Sequence, residues 1–145
     1  MTMRGPRLFG LLTAALVIML PLFANQSFGA GDVTPQLVDT TGLEPLGDEW
    51  RTENPYRSNA TAIEIGESGY AQNCARCHGL QVISGGLAPD LRQLETGGKG
   101  DEWFTERVRN GATIGGITRM PRFEGLLSQE AMWAIRSYIE SQHVQ

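Results

Sequence analysis

Cys74-Ala75-Arg76-Cys77-His78 is the stretch on which the reading of this chain turns. Two thiols three positions apart, followed at once by an imidazole, have the order of a covalent c-type haem attachment site. Each cysteine can add across one haem vinyl group to form a thioether. The histidine then falls beneath the macrocycle, where its Nε2 can ligate iron. A thioredoxin-type dithiol would want a βαβ context, and a zinc site would want a second ligand pair downstream. The sequence offers neither, because Cys74 and Cys77 are its only cysteines and His143 is its only other histidine.

Upstream, Met1 to Arg7 carries Arg4 and Arg7 and no acid, and an apolar run follows from Leu8 to Leu20. Pro21 and a small-residue region come next, the layout of a secretory signal peptide. The run is shorter than the roughly 18 residues of a spanning helix. Ser27-Phe28-Gly29 places small residues at −3 and −1, so residues 1–29 read as a signal and the mature chain as starting near Ala30. Export agrees with the main motif, since c-type haem is attached outside the cytoplasmic membrane. Without Arg4 and Arg7 the chain keeps 10 bases against 16 acids, a formal charge of −6. No basic excess points to nucleic acid. Met1, Met3 and Met19 leave with the signal, so Met120 and Met132 remain as possible iron ligands.

Residues 30–58 hold Pro35, Pro45 and Pro55 among six acids, and read as an extended acidic arm rather than helix or central strand. Trp50 and Tyr56 predict that its second half packs on the domain; the first half, to Leu46, could equally be a disordered leader. The domain proper, 59–145, opens with a helix starting near Asn59 or Thr61, where Thr61-Ala62-Ile63-Glu64 fits a capping box. Ile63, Gly66 and Tyr70 share one face of it. A glycine there costs about 1 kcal/mol against alanine, which predicts close approach by another helix. A glycine-rich loop from Gly79 to Gly100 should wrap the haem. Asp101 is expected to cap a helix from Glu102 to Asn110, with Gly111 as its stop. A second loop runs from Gly111 to Leu127, and a last helix opens at Ser128 and continues to Ser141. No strand pattern stands out.

Met120 lies 42 residues after His78, in a loop and directly before Pro121, and is the candidate sixth ligand. Histidine–methionine ligation raises the reduction potential and suits electron transfer. Met132 is the rival, placed in the final helix among core positions; a packing role is the alternative for either. The carbonyl of Pro89 is the candidate acceptor for the second ring N–H of His78, and Leu91 is expected to pack on the haem face. Arg76, Arg107, Arg109, Arg119 and Arg122 come from segments converging on the haem, and could form a docking rim or partner the haem propionates.

Taken together, these residues resemble class I cytochromes c: Gly66 and Tyr70 in the first helix, the CxxCH motif, Pro89-Asp90-Leu91, Met120, and Tyr138-Ile139 in the last helix. The resemblance implies an all-α fold packed around one haem, with the first and last helices crossing at the glycine. Further runs resemble the PedF-type cytochromes c: Gly31-Asp32-Val33-Thr34-Pro35, Glu53-Asn54-Pro55-Tyr56-Arg57, Tyr70 to Leu80, Ile83-Ser84-Gly85-Gly86 and Ala88-Pro89-Asp90-Leu91. Those are small periplasmic cytochromes that accept electrons from quinoprotein (PQQ) alcohol dehydrogenases. That resemblance implies such a donor, with an oxidase or another cytochrome as acceptor.

The expected protein is therefore a periplasmic one-electron carrier, not an enzyme, with one haem c on Cys74 and Cys77 and iron between His78 and Met120. No stable membrane insertion is expected after signal cleavage. The alternatives are a haem enzyme or gas-binding module with an open sixth position, and a cytochrome subunit of a larger oxidoreductase.

Overall fold

Helix α1 (Ala60–Asn73) begins because Asn59, in extended backbone, turns its Oδ1 to accept the Ala62 N–H at 3.0 Å. Asparagine is among the strongest N-caps, and its position fixes the helix start. The expected capping box is pre-empted, since Thr61 and Glu64 already sit inside α1 on its exposed side. At the other end of the chain, Ser128 caps α4 (Gln129–Ser141) as expected, its Oγ accepting from Ala131 N–H at 3.2 Å. The two helices cross where Gly66 has no side chain: a Cβ there would lie 2.0 Å from the Ala134 carbonyl oxygen. Tyr70 and Tyr138 pack across the same crossing with ring centroids 5.4 Å apart.

The computed structural model describes residues 1–2 and 34–144. The expected signal peptide beyond Thr2, its cleavage point and the first residues of the arm lie outside the described residues. Of the described residues, 34–144 fall in one compact unit.

Helix α2 (Ala75–His78) is a single turn, followed by short 3₁₀ turns at Leu80–Val82 and Leu91–Gln93. Helix α3 (Gly98–Asn110) starts earlier than Glu102, and Asp101 is not its cap. Gly97 holds that place, and Asp101 lies within the first turn, wholly buried. The reason is a partner distant in sequence: Asp101 Oδ1 accepts from Arg136 Nε at 2.8 Å, and both side chains are fully buried. Arg57 bonds the other oxygen at 2.5 Å, and the Asn54 N–H reaches it at 2.9 Å. A buried charge needs such pairing, and this need draws Asp101 inward.

The largely helical architecture has one addition. Strands β1 (Ala112–Ile114) and β2 (Ile117–Met120) form an antiparallel hairpin with Ile114 opposite Ile117. The turn is Gly115-Gly116, with φ of +59° and +76°. Two successive left-handed residues make the tight turn that matches strand twist, which favours glycine at both. Thr113, Ile114, Ile117 and Thr118 are β-branched and suit the flanking strands.

The arm is ordered over its described length. Gln36 N–H donates to Asn73 Oδ1 at 2.7 Å, Leu46 is buried, and its N–H donates to Glu130 Oε1 at 2.8 Å. Trp50 stacks on Trp133 of α4 at 5.5 Å and Tyr56 is buried. These contacts bear out the packing of the second half and remove the disordered reading for residues 34–46. Met132 is buried in the core with Trp133, Ile135 and Ile139, as a packing methionine would be. Among the described residues, no helix is long and apolar enough to cross a membrane.

Candidate haem-binding site

Cys74 ends α1, its N–H donating to Tyr70 O at 2.8 Å. The α2 turn then brings His78 N–H to Cys74 O at 3.0 Å, so one turn of backbone carries both thiols and the imidazole. Immediately afterwards the chain must bend away. Gly79 has φ +82°, and a Cβ there would stand 1.8 Å from the Ile83 carbonyl oxygen. Only glycine fits both demands.

Cys74, Cys77 and His78 line a cavity of about 740 Å³, and Pro89, Leu91 and Met120 line it too. Its remaining walls are mostly apolar, including Phe104 and Val108 from α3 and Ile135 and Ile139 from α4. The cavity thus gathers every residue expected at the site from the sequence. It does not gather Met132, which is absent from its lining.

His78 Nδ1 lies 2.9 Å from the Pro89 carbonyl oxygen. A carbonyl can only accept, so Nδ1 is the donor in this contact and Nε2 is the ring nitrogen left for another partner. The loop that supplies this carbonyl is itself braced. Asp90 Oδ1 accepts from Arg92 N–H and Nε, both at 3.0 Å, and Arg92 holds the Asp90 carboxyl down to about 2. Ser84 Oγ donates to the Ala88 carbonyl.

Burial pushes the Cys74 thiol up to about 12, with neighbouring Cys77 adding to it. A redox dithiol works through a depressed thiol pKa, so this environment argues against that use. Among the described residues no cluster of three or more His, Cys, Asp or Glu side chains could hold a metal ion. The residues do fit a haem. The cavity is deep and apolar, with a prepared imidazole and a thioether in its wall. No carboxylate lines it, while Arg107 and Arg119 do, which suits a group that brings carboxylates of its own.

The other arginines part ways. Arg109 turns from the cavity to pair with Glu124, and Arg122 lies 3.8 Å from the same carboxylate. Arg76 is exposed. Sequence reading did not single out Leu87 and Ile114, which line the cavity and are 76% and 67% exposed. Trp103 and Phe104 were visible only as part of a helix stripe, and they too line the cavity.

Residues 61–139 match the family model described as cytochrome c oxidase, cbb3-type, subunit III. Cytochrome c550 of Pseudomonas aeruginosa is 58% identical over 137 residues, covering 92% of this chain and 94% of that protein. Quinohemoprotein alcohol dehydrogenase ADH IIB of Pseudomonas putida is 36% identical over 93 residues, covering 63% of this chain but only 13% of the enzyme. Among solved structures, cytochrome cL of the marine methylotroph Methylophaga aminisulfidivorans superposes with a TM-score of 0.53 at 21% identity, covering 73% of this chain and 74% of that one. That likeness is one of fold. With the family model spanning more than half the chain and a relative alike over nearly its full length, the chain belongs to the cytochrome c family, whose cofactor is haem c, and is an electron-transfer protein.

Proposed function

We propose that this chain is a periplasmic carrier of single electrons, with one haem c held covalently by Cys74 and Cys77 and with His78 and Met120 as axial ligands. The observation that carries the reading is the meeting of Cys74, Cys77, His78, Pro89 and Met120 on one apolar cavity. When bound, haem supplies one-electron exchange at iron. The protein does the rest. The two thiols anchor the group, the Pro89 carbonyl orients the His78 ring, and the thioether of Met120 favours the reduced state and raises the potential. Apolar walls from α3 and α4 keep water from the centre. With both axial positions taken, a small substrate would find no open coordination site.

A quinoprotein (PQQ) alcohol dehydrogenase is the proposed donor. The similarity of this chain to a segment of a quinohemoprotein alcohol dehydrogenase supports that class. An oxidase or another cytochrome would receive the electron.

The test is the visible and near-infrared spectrum of the purified exported protein, oxidised and reduced. A weak sulfur-to-iron band is expected in the oxidised wild type and should vanish in Met120→Ala. Ready carbon monoxide binding by the reduced wild type would overturn the ligation. The donor is tested separately, by whether a purified quinoprotein alcohol dehydrogenase reduces the protein when its alcohol is added.

A further inference from the structure

The loop that presents Met120 is stapled at both ends to the last turn of α3. At its start, Gly111 N–H donates to Arg107 O at 2.8 Å; near its end, Phe123 N–H donates to Val108 O at 2.8 Å. One residue beyond the second of these bonds comes a side-chain fastening: Arg109 Nε donates to Glu124 Oε1 at 2.8 Å, and a second guanidinium nitrogen meets the same oxygen. The fastening braces the end of the loop, four residues after Met120.

Arg109 is held on its other side by the N-terminal arm. Its guanidinium lies 4.6 Å from the centroid of the Trp50 ring. Trp50 stacks on Trp133 of α4 at 5.5 Å. Gln129 grips the arm on either side of that tryptophan, its Oε1 accepting the Arg51 N–H at 2.6 Å and its Nε2 donating to Glu49 O at 3.1 Å. A planar guanidinium can stack on an indole and still present its edge to a carboxylate, which an ammonium cannot do equally well.

We propose that the arm is a latch on the methionine loop: Trp50 holds Arg109, Arg109 holds Glu124, and Glu124 keeps Met120 in the cavity wall. Arg109 is thus a positioning residue for the axial ligand. This rests on the reading of Met120 as that ligand. A thioether is a weak ligand, so its occupancy depends on how often the loop opens. An external ligand competes only in the open state, and its apparent affinity scales with the open fraction.

The experiment is imidazole titration of the oxidised, haem-loaded full-length protein, with the midpoint potential measured alongside. Arg109→Gln and Glu124→Gln should each raise apparent imidazole affinity about 5-fold, the scale of the half-exposed ion pair that both remove. Arg109→Lys should fall between them and wild type. Trp50→Leu, remote from the loop, should raise affinity about 3-fold by removing the stacking alone. The Arg109→Gln/Glu124→Gln double variant should bind like either single one, because one link is broken in all three. Midpoint potentials should fall in the same order. Wild-type affinity and potential in Arg109→Gln and Glu124→Gln, even with lowered resistance to urea, would reduce Arg109 to a structural role and overturn the latch. Wild-type behaviour of Trp50→Leu would remove the arm from it. Failure of the ligand reading looks different: wild type and Met120→Ala would then bind imidazole alike, and neither would show the sulfur-to-iron band.

Discussion

A Cβ on Gly111 would lie 2.5 Å from the backbone carbonyl oxygen of Met120 and 2.9 Å from Arg122 N. The glycine also has φ +73°, a conformation that side chains disfavour. Gly111 therefore does two things at once: it ends α3, and it lets the backbone of the proposed ligand close against that end. Gly111→Ala should push the Met120 backbone outward and strain the turn. The expected result is a weakened or absent sulfur-to-iron band, with stability lower by about 2–3 kcal/mol. An unchanged band in the oxidised protein would show that the loop can absorb the methyl group.

The crossing of α1 and α4 has even less room. At Gly66 the added Cβ would meet the Ala134 carbonyl oxygen at 2.0 Å and Tyr138 Cβ at 3.0 Å. Backbone is the obstacle, so no rotamer change can relieve the contact. Gly66→Ala should separate the helices despite the better helix propensity of alanine, costing about 3 kcal/mol at the upper end of overpacking effects. Urea unfolding of the haem-loaded protein measures this. A stability equal to or above wild type would mean the helices can re-cross without penalty.

Gly66 could be read from the sequence because its chemistry is local: a glycine on the apolar face of a helix implies a close neighbour. The attachment stretch was legible for the same reason, as two thiols and an imidazole within five residues. Asp101 was not. An acid following a glycine-rich run is written the same way whether it caps a helix or lies buried inside one. What decides is Arg136, 35 residues later, together with Arg57, 44 residues earlier. The hairpin was hidden by its brevity. Strands of three and four residues barely register against a helical background, and the one usable clue was Gly115-Gly116 set between β-branched residues. The arm's order was half visible in Trp50 and Tyr56. Its first part depends on Asn73 and Glu130, whose reach to Gln36 and Leu46 only the fold reveals.

The buried ion pair supplies a third prediction. Asp101→Asn would leave Arg136 enclosed without its anion and weaken the acceptor used by Arg57 and by the Asn54 N–H. Loss of one partner in a buried pair costs about 3–5 kcal/mol. Arg136→Met should cost less, because Asp101 keeps Arg57 and the Asn54 amide. Thermal unfolding ranks the two variants, and limited proteolysis reports whether the arm near Asn54 loosens in Asp101→Asn. Equal stability of the two variants would show that Arg57 does not stabilise the remaining carboxylate.

Tyr56 gives the arm a dependence on alkaline pH. Its hydroxyl donates to the Glu44 carbonyl. Burial first, and then the charges of Glu130 and Glu44, push its pKa up to about 12. The folded state therefore holds the phenol proton more tightly than the unfolded chain, whose tyrosines titrate near ~10. The stability gained is fully present below that value and is lost as pH rises from there toward 12. Burial raises Tyr70 and Tyr138 as well, so the alkaline decline has several sources. Tyr56→Phe removes one of them while keeping the ring. Urea midpoints at neutral pH and on the alkaline side should therefore lie closer together in Tyr56→Phe than in wild type. The variant should start lower at neutral pH, because the bond to Glu44 is gone. A decline as steep as in wild type would mean that Tyr56 ionises as readily folded as unfolded, and that the Glu44 bond does not hold its proton.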